Sequence, residues 1–341
     1  MTRALNFVGG IPDLILRNTP DFTRRQNPAS YDEYLSALGF YSPEKWRKKK
    51  FFYIPCAVPD FEARRIGPFS EGYVELLRYP SRYKPQNPVM EEEFFRHKTN
   101  QTGYVQLWRH DEKVNRPLIL CVHGFLMGFP KQAMRMFKIA TLFELGLDIG
   151  LYIQPHHWKR SDKYPVQYLL SPENLPLTVE SFGQNIHDLH SSVVLLRSLG
   201  YNRIGAIGAS LGGYTLALYA TFEAPLDFIF MAVPAISFSH YLSPWRAKFG
   251  FRVDSRVEAE SAKALELISP LHYRPGYDVG KIGVVIHSGD KLAEAQIARK
   301  WIEKWEVKNH VEVTGGHWLY FDSKARGKAW YGWLKKFGYI S

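Results

Sequence analysis

Short, mostly apolar runs recur along this chain from residue 118 to its end. They lie at residues 118–122, 149–153, 203–207, 228–232, 283–286 and 311–313. Apolar runs of this length are typical of strands buried on both faces of a parallel sheet. The segments between them place apolar residues at helical spacing, in 131–145, 179–199, 211–221, 293–305 and 323–337. This alternation predicts an α/β fold with a doubly wound sheet, in which ligands bind beyond the carboxyl ends of the strands.

Two earlier segments, residues 73–79 and 94–108, have the pattern of more exposed antiparallel strands joined by a proline-rich turn. With them, the predicted sheet has eight mostly parallel strands, with helices on both faces. Residues 1–70 show no strand pattern, so we expect an N-terminal extension packed on a main domain of residues 71–341. Within that domain, the insert at 238–282 is long enough for a small lid over a ligand pocket. The insert contains three large aromatic residues, Trp245, Phe249 and Phe251.

The composition is that of an ordinary globular protein, with 45% hydrophobic and 23% charged residues. No signal-peptide pattern opens the chain and no apolar run reaches about eighteen residues, so we expect a cytoplasmic protein without integral membrane association. Two cysteines are too few for a disulfide framework. The net charge of +11 and the basic run at 47–50 leave an anionic partner open. Because no nucleic-acid-binding motif accompanies them, a solvated helix face is the simpler interpretation, and no nucleic-acid partner is expected.

A serine between glycines directly follows the apolar run at 203–207, where residues 208–212 read Gly-Ala-Ser-Leu-Gly. This G-x-S-x-G pattern between a predicted strand and a predicted helix is typical of a sharp turn that presents a nucleophilic serine. The glycines permit strained backbone angles and a close approach of strand and helix. A phosphate-binding loop is one alternative, but the spacing does not give G-x-G-x-x-G. A plain tight turn with a buried serine is the other, and Ser210 is the candidate nucleophile.

A serine hydroxyl needs a base within hydrogen-bond reach. His317 is the candidate, because it follows the last predicted strand in the sequence Gly-Gly-His-Trp, where two glycines let the loop carry the ring over the sheet. His310 precedes that strand and so belongs to the opposite end. His287 ends its own strand and is expected to pack under the site.

The acid that orients the histidine should follow a strand between the serine and the histidine. Asp290 is the candidate, because it directly follows the run at 283–286. Its rivals are Glu294, one turn into the next predicted helix, and Asp278, which precedes the strand. The loop after the preceding apolar run holds no carboxylate. The alternative role of Asp290 is to cap the helix that begins near residue 293.

Backbone N–H groups can stabilise the oxyanion that forms when a serine attacks a carbonyl. The N–H of Leu211, directly after the serine, is one candidate. The N–H of Phe125 is the other, in the loop that follows the apolar run at 118–122. His123 at the start of this loop is expected to support it.

The loop after the second apolar run reads Pro-His-His-Trp-Lys-Arg at 155–160 and is predicted to lie near the mouth of the site. Trp158 and Arg160, together with His123, are therefore candidate substrate contacts. Lys159 and Arg160 would favour substrates with an anionic group, whereas the alternative is that both side chains are solvated or structural. Zinc is not expected, since two adjacent histidines on a strand cannot both face one metal ion.

Taken together, four motifs resemble those of the α/β-hydrolase superfamily in order and in strand context over residues 71–341. They lie at residues 123–124, 208–212, 288–290 and 316–317. Ser-Pro-Leu at 269–271 is similar to the dienelactone hydrolase and prolyl oligopeptidase branch, but the segment that ends in Asp290 is one residue shorter than in that branch.

The resemblance implies a serine hydrolase that cleaves a carboxylic ester, thioester or amide without cofactor or metal. Ser210, Asp290 and His317 would form its triad, and a small-molecule ester or related acyl compound would be its substrate. A peptidase or an acyltransferase with the same triad is an alternative. A non-catalytic binding protein on this scaffold is another.

Overall fold

The centre of the protein is a nine-stranded sheet in the order β1-β2-β3-β5-β4-β6-β7-β8-β9. The computed structural model describes residues 2–18, 30–46, 51–111, 116–162, 169–170, 174–239 and 253–341. The strands are β1 (Glu62–Phe69), β2 (Gly72–Pro80), β3 (Thr102–His110), β4 (Leu118–Val122), β5 (Asp148–Tyr152), β6 (Ile204–Ala209), β7 (Phe228–Ala232), β8 (Ile282–His287) and β9 (Asn309–Val313). Three neighbouring pairs are antiparallel: β1 with β2, β2 with β3, and β3 with β5. All the other neighbouring pairs are parallel, from β5 with β4 to β8 with β9. The predicted α/β sheet is thus confirmed.

The sheet has one strand more than the eight that the sequence predicts. The additional strand is β1, at the antiparallel edge and within the segment 1–70 that shows no strand pattern. Most of its side chains are exposed, so it lacks the apolar alternation by which a half-buried strand is recognised. A second correction concerns residues 94–108, because Phe94 lies in helix α4 (Glu91–Arg96) and β3 begins only at Thr102.

Helices cover both faces of the sheet. One face is covered by α2 (Tyr31–Gly39), α7 (Leu175–Ser198), α8 (Leu211–Tyr219), α9 (Ser255–Ile268) and α10 (Ala295–Lys304). The other is covered by α5 (Pro130–Met136), α6 (Ile139–Glu144) and α11 (Ser323–Lys336). Successive strand residues pack on opposite faces, as Leu120 and Cys121 do. Burial on both faces explains why the central strands are apolar throughout.

The described parts of the N-terminal segment contact the rest of the protein in two places. α2 and α3 (Pro43–Trp46) lie near α7 and α9, and Tyr41 between them donates a hydrogen bond to Glu180 of α7 at 2.9 Å. α1 (Thr2–Asn18) lies against the loops that follow β8 and β9, where Gly9 contacts Gly316. The division of the chain at residue 70 stays a prediction.

Two predicted features lie outside the described residues. One is the basic run at 47–50, and the other is the stretch 240–252, which holds the aromatic residues of the predicted lid. The remainder of the insert contains α9. Of the helices that the structure describes, none is long and apolar enough to cross a membrane.

The strand order reverses at β4. The chain passes from β4 to β5 on one side and later returns to the other side of β4 as β6. The carboxyl ends of β4 and β6 therefore lie side by side, with Val122 paired to Gly208. Such a reversal opens a crevice in which ligands bind. Because the candidate catalytic residues follow β4, β6, β8 and β9, the topology gathers them at this edge of the sheet.

Candidate active site

The turn between β6 and α8 holds Ser210 in a strained conformation, with φ 53° and ψ −115°. A positive φ is unfavourable for a residue with a side chain and is retained where the surroundings enforce it. Here β6 and α8 approach so closely that a Cβ on Gly208 would overlap the carbonyl of Gly212. A Cβ on Gly212 would in turn overlap the carbonyl of Val122 in β4. The two glycines are thus required by the packing of the turn.

Ser210, His317 and Asp290 form a continuous hydrogen-bonded chain. The Ser210 Oγ lies 2.9 Å from Nε2 of His317, and Nδ1 of His317 lies 2.7 Å from Oδ2 of Asp290. With its proton on Nδ1, the ring donates to the carboxylate and accepts from the serine hydroxyl. His317 is 7% exposed and Asp290 4%, whereas Ser210 is half-buried and reachable from solvent. The three residues that the sequence nominates are therefore together, in the arrangement that activates a serine.

The two oxygens of Asp290 have different partners. Oδ2 contacts His317, while Oδ1 accepts the N–H groups of Leu292 and Ala293 at 2.9 and 2.7 Å. Because α10 begins only at Ala295, with Glu294 at its N-cap, these two bonds hold the turn before the helix, and Asp290 does not cap the helix as the alternative had it. The N–H donors fix the carboxylate plane, and with it the direction of the imidazole.

Charges around His317 favour its protonated form. Burial lowers the pKa of the ring, but the charge and hydrogen bond of the Asp290 carboxylate and the charge of the Asp13 carboxylate together outweigh burial. The pKa of His317 is therefore raised above its ordinary value of 6.5. His287 lies next to the same loop, with Nδ1 donating to the carbonyl of Gly316 at 2.8 Å. Burial lowers the pKa of His287 to about 4, so the ring is neutral and packs beneath the site, as the sequence suggests.

The two candidate oxyanion donors follow β6 and β4. Leu211 is the first residue of α8, so its N–H has no partner in the helix. Phe125 lies in the turn after β4, and neither amide makes a backbone hydrogen bond within the part of the chain that is described. This turn lies beside the nucleophile, because a Cβ built on Gly124 would be 3.6 Å from the Cβ of Ser210. The oxyanion-hole role of both amides stays a prediction.

His123 holds the turn after β4 in place. Its Nδ1 donates to the carbonyl of Gly124 at 2.8 Å, and its Nε2 accepts the N–H of Gln154 at 3.1 Å. The ring is fully buried, and burial lowers its pKa to about 4, which keeps it neutral. Since both ring nitrogens are already bonded, His123 supports the loop, and no ring nitrogen is free for a substrate.

Arg160 does not lie at the mouth of the site, contrary to what its loop suggests. Its side chain is completely buried, and its guanidinium contacts Asp188 of α7 at 2.6 Å. Asn100 accepts two further hydrogen bonds from it, through its side chain and its carbonyl. A guanidinium with these partners offers no cation to a substrate, so Arg160 gives the expected anion preference no support, and the contribution of the exposed Lys159 stays a prediction. The physical reason is that burial of a charge demands a paired counter-charge.

The neighbours of Arg160 in the loop range from buried to exposed: His157 is buried, Trp158 half-buried and Lys159 exposed. The ring of His157 lies 4.7 Å from the ring of His123. Trp158 packs edge-on against Tyr104 of β3 at 6.4 Å between ring centroids, and Lys159 lies 5.2 Å from the Trp158 ring. The role of Trp158 as a substrate contact stays a prediction.

Two N-terminal side chains contact the site and are not among the predicted residues. Oδ2 of Asp13 accepts the N–H of His317, and Oδ1 of Asn6 accepts the N–H of Gly315, both at 2.8 Å. They precede their partners by 304 and 309 residues, so no local sequence pattern links them. Over the described ranges, no group of three or more His, Cys, Asp or Glu side chains is arranged to hold a metal ion.

The curated proteins that are similar to this chain have names that describe no activity. No family model matches the chain. Two uncharacterized proteins of Mycobacterium tuberculosis, Rv2627c of strain H37Rv and MT2702 of strain CDC 1551, are each 27% identical over 302 residues. The matched region is 86% of this chain and 71% of each relative.

Comparison with solved structures is more informative about the fold. Acetyl xylan esterase 1 from Thermoanaerobacterium sp. JW/SL YS485 has 11% identity and a TM-score of 0.56, over 96% of this chain and 99% of that chain. An acetyl xylan esterase from Paenibacillus sp. R4 has 12% identity and a TM-score of 0.58 over the same shares. A prolyl endopeptidase has 14% identity and a TM-score of 0.53, over 79% of this chain and 39% of that chain. The chain therefore has the fold of the α/β-hydrolase superfamily, as its motifs predict.

Proposed function

We propose that this protein is a serine hydrolase that cleaves carboxylic esters through an acyl-enzyme. The observation that carries the proposal is the chain of hydrogen bonds from Ser210 to His317 to Asp290, at 2.9 and 2.7 Å. A buried imidazole between a hydroxyl and a carboxylate can take the hydroxyl proton as the oxygen attacks a carbonyl. The strained turn at Ser210 and the two amides beside it add the remaining parts that acyl transfer needs.

In the first half-reaction, Oγ of Ser210 bonds to the ester carbonyl carbon as its proton passes to Nε2 of His317. The carbonyl oxygen becomes an oxyanion, to which the N–H groups of Leu211 and Phe125 donate. In other enzymes, loss of one such donor lowers kcat by about 10²–10³-fold. Asp290 stabilises the imidazolium, which protonates the ester oxygen as the bond from that oxygen to the acyl carbon breaks and the alcohol leaves.

In the second half-reaction, water attacks the acyl group on Ser210. His317 takes a proton from the water and then returns it to the Ser210 oxygen as the carboxylic acid leaves. The chain itself supplies nucleophile, base and orienting acid, so the proposed reaction uses no cofactor.

An ester is proposed ahead of an amide because both acetyl xylan esterases match over nearly their whole length. A peptidase is the second candidate, on the likeness to a prolyl endopeptidase, which spans 39% of that chain. We also propose a small-molecule acyl substrate and a cytoplasmic location. Cys56 and Cys121, both free thiols, support that location, because a reducing compartment preserves them.

A panel of short-chain p-nitrophenyl esters and aminoacyl p-nitroanilides tests the proposal. We expect a burst of p-nitrophenol equal in amount to the enzyme, followed by slower turnover, because the acyl-enzyme accumulates. Ser210→Ala should abolish the burst, while Ser198→Ala, an exposed serine at the end of α7, should keep it. Faster cleavage of the anilides would favour a peptidase. No turnover of either class by folded protein would contradict the proposal.

A further inference from the structure

The acid and the base stand on two separate loops that must keep their mutual position. The loop after β8 carries Asp290, and the loop after β9 carries His317. Helix α1 lies across both of these loops, although it belongs to the opposite end of the chain. A shift of about 1 Å between groups that react together can cost about 10²-fold in rate, so whatever joins the loops affects the site.

Two side chains of α1 each bind both loops. Oδ2 of Asp13 accepts the N–H of Lys291 at 3.0 Å from the first loop and the N–H of His317 at 2.8 Å from the second. Oδ1 of Asn6 accepts the Ser288 hydroxyl at 2.8 Å from the first loop. It also accepts the N–H of Gly315 at 2.8 Å from the second. Each side chain is thus a bridge between the acid loop and the base loop.

Between these bridges, the helix backbone is seated directly on the loops. A Cβ on Gly9 would overlap the backbone of Gly316 and Leu319. A Cβ on Gly10 would come within 3.1 Å of the carbonyl of Gly289. Asn6, the two glycines and Asp13 are spaced so that they share one face of the helix. This face of α1 therefore packs directly against the backbone of both loops.

Large apolar side chains do not form the described part of the α1 face that is seated on the loops. Among the α1 side chains that the structure describes, four large apolar ones lie exposed, with exposed fractions of 69% for Phe7, 45% for Val8, 42% for Ile11 and 42% for Leu14. The buried face instead carries glycines and the fully buried Asp13. Burial of a carboxylate is unfavourable unless it is bonded, and here burial raises the pKa of Asp13 while the two N–H donors lower it. Oδ1 of Asp13 has no hydrogen-bond partner within the described residues. A charge held under such conditions points to a role beyond packing.

We propose that helix α1 is part of the active site and that Asp13 is its positioning residue, which joins the loops of Asp290 and His317 and adds a second carboxylate beside the base. This inference rests on the proposed function. Asp13 acts through His317 and does not touch the reacting atoms. Asn6 provides the second bridge.

Asp13→Asn separates the charge of Asp13 from its bridging contacts. The amide oxygen of asparagine can accept the same two N–H groups, so the loops stay joined while the charge is removed. The ionisable groups that act on His317 are Asp290, Asp13 and Arg326 of α11, and His287 lies beside it. Without Asp13, the protonated ring is less favoured, so the acid limb of the kcat/KM profile should move to lower pH.

Asp13→Ala removes the bridge as well as the charge. We expect kcat to fall by about 10²-fold with little change in KM, because the loops lose their common anchor. Asp32→Asn, an exposed carboxylate of α2, is the matched control and should change neither quantity. Thermal melts of each variant identify any that fail to fold.

NMR titration of the His317 ring measures the same effect without turnover. We expect its midpoint to fall in Asp13→Asn and to stay in Asp32→Asn. If the wild-type protein fails to react with a fluorophosphonate, the proposed function fails while the ring titration still tests Asp13. If the wild type reacts but Asp13→Asn leaves both the acid limb and the ring titration as in Asp32→Asn, the positioning role is refuted.

Discussion

Replacement of Asp290 by asparagine should remove activity with little change in shape. Oδ1 of Asp290 is held by the N–H groups of Leu292 and Ala293, at 2.9 and 2.7 Å. In the variant, only the amide oxygen can accept these two donors, so the NH2 group must face His317. An NH2 group cannot accept the proton on Nδ1, so the ring takes the other tautomer, with its proton on Nε2 directed at Ser210.

That tautomer cannot take the serine proton. In serine proteases, the same replacement of the orienting aspartate lowers kcat by about 10⁴-fold. This corresponds to roughly 5.5 kcal/mol in the barrier, at about 1.36 kcal/mol for each factor of ten. We expect a loss of this size in Asp290→Asn, with an unchanged melting temperature because the hydrogen bonds from Leu292 and Ala293 are both kept. Steady-state cleavage of p-nitrophenyl acetate and a thermal melt followed by circular dichroism measure the two effects.

Glu294→Gln is the matched control, since Glu294 is a carboxylate four residues further on, at the N-cap of α10, and is half-buried. We expect it to change kcat by less than about twofold, as a substitution away from the triad should. If Glu294→Gln is the more damaging variant, the assignment of the acid is wrong. A loss below about tenfold in Asp290→Asn would refute the tautomer argument.

Three further predictions concern buried ionisable groups. The acid limb of the kcat/KM profile should have its midpoint above pH 6.5, because the pKa of His317 is raised above 6.5 and only the neutral ring accepts a proton. A midpoint below pH 6.5 would contradict this prediction. Arg160→Met should lower the free energy of unfolding in urea by about 3–5 kcal/mol, because Asp188 loses its buried partner. If Arg160→Met instead raises KM only for a carboxylate-bearing ester, Arg160 does bind the substrate and the structural role is contradicted. Glu180→Ala should lower the melting temperature strongly, because four hydrogen-bond donors lose their acceptor. These donors are the hydroxyls of Tyr41 and Tyr83 and the N–H groups of Gln86 and Asn87. An unchanged melting temperature would contradict this prediction.

The parts of the fold that sequence predicts are those with a local physical signature. The buried strands are apolar on both faces, and the turn at Ser210 needs glycines, so both are visible as short patterns. β1 has no such signature, because an exposed edge strand can carry charged side chains. The helix predicted at 131–145 is in fact two helices, α5 and α6, separated at Lys138, whose φ of 51° breaks the helical backbone. A positive φ at a lysine leaves no mark in the sequence.

The parts of the site that sequence does not predict depend on distant partners. Arg160 is basic and follows a strand, so it resembles a substrate contact until Asp188 on α7 is seen to bury and pair it. Asp13 lies in a segment without strand pattern, and its partner His317 is 304 residues away. Only the folded chain places them together, because side-chain contacts between distant segments have no sequence period.

Labelling with a fluorophosphonate tests the central claim most directly. The reagent phosphonylates a serine that is activated by a neighbouring base, whatever the natural substrate is. We predict one adduct per chain, located at Ser210 by peptide mass spectrometry, and slower labelling at pH values where His317 is protonated. Ser210→Ala should abolish the adduct and Ser198→Ala should retain it. An unlabelled wild-type protein, or an adduct on another serine, would contradict the account.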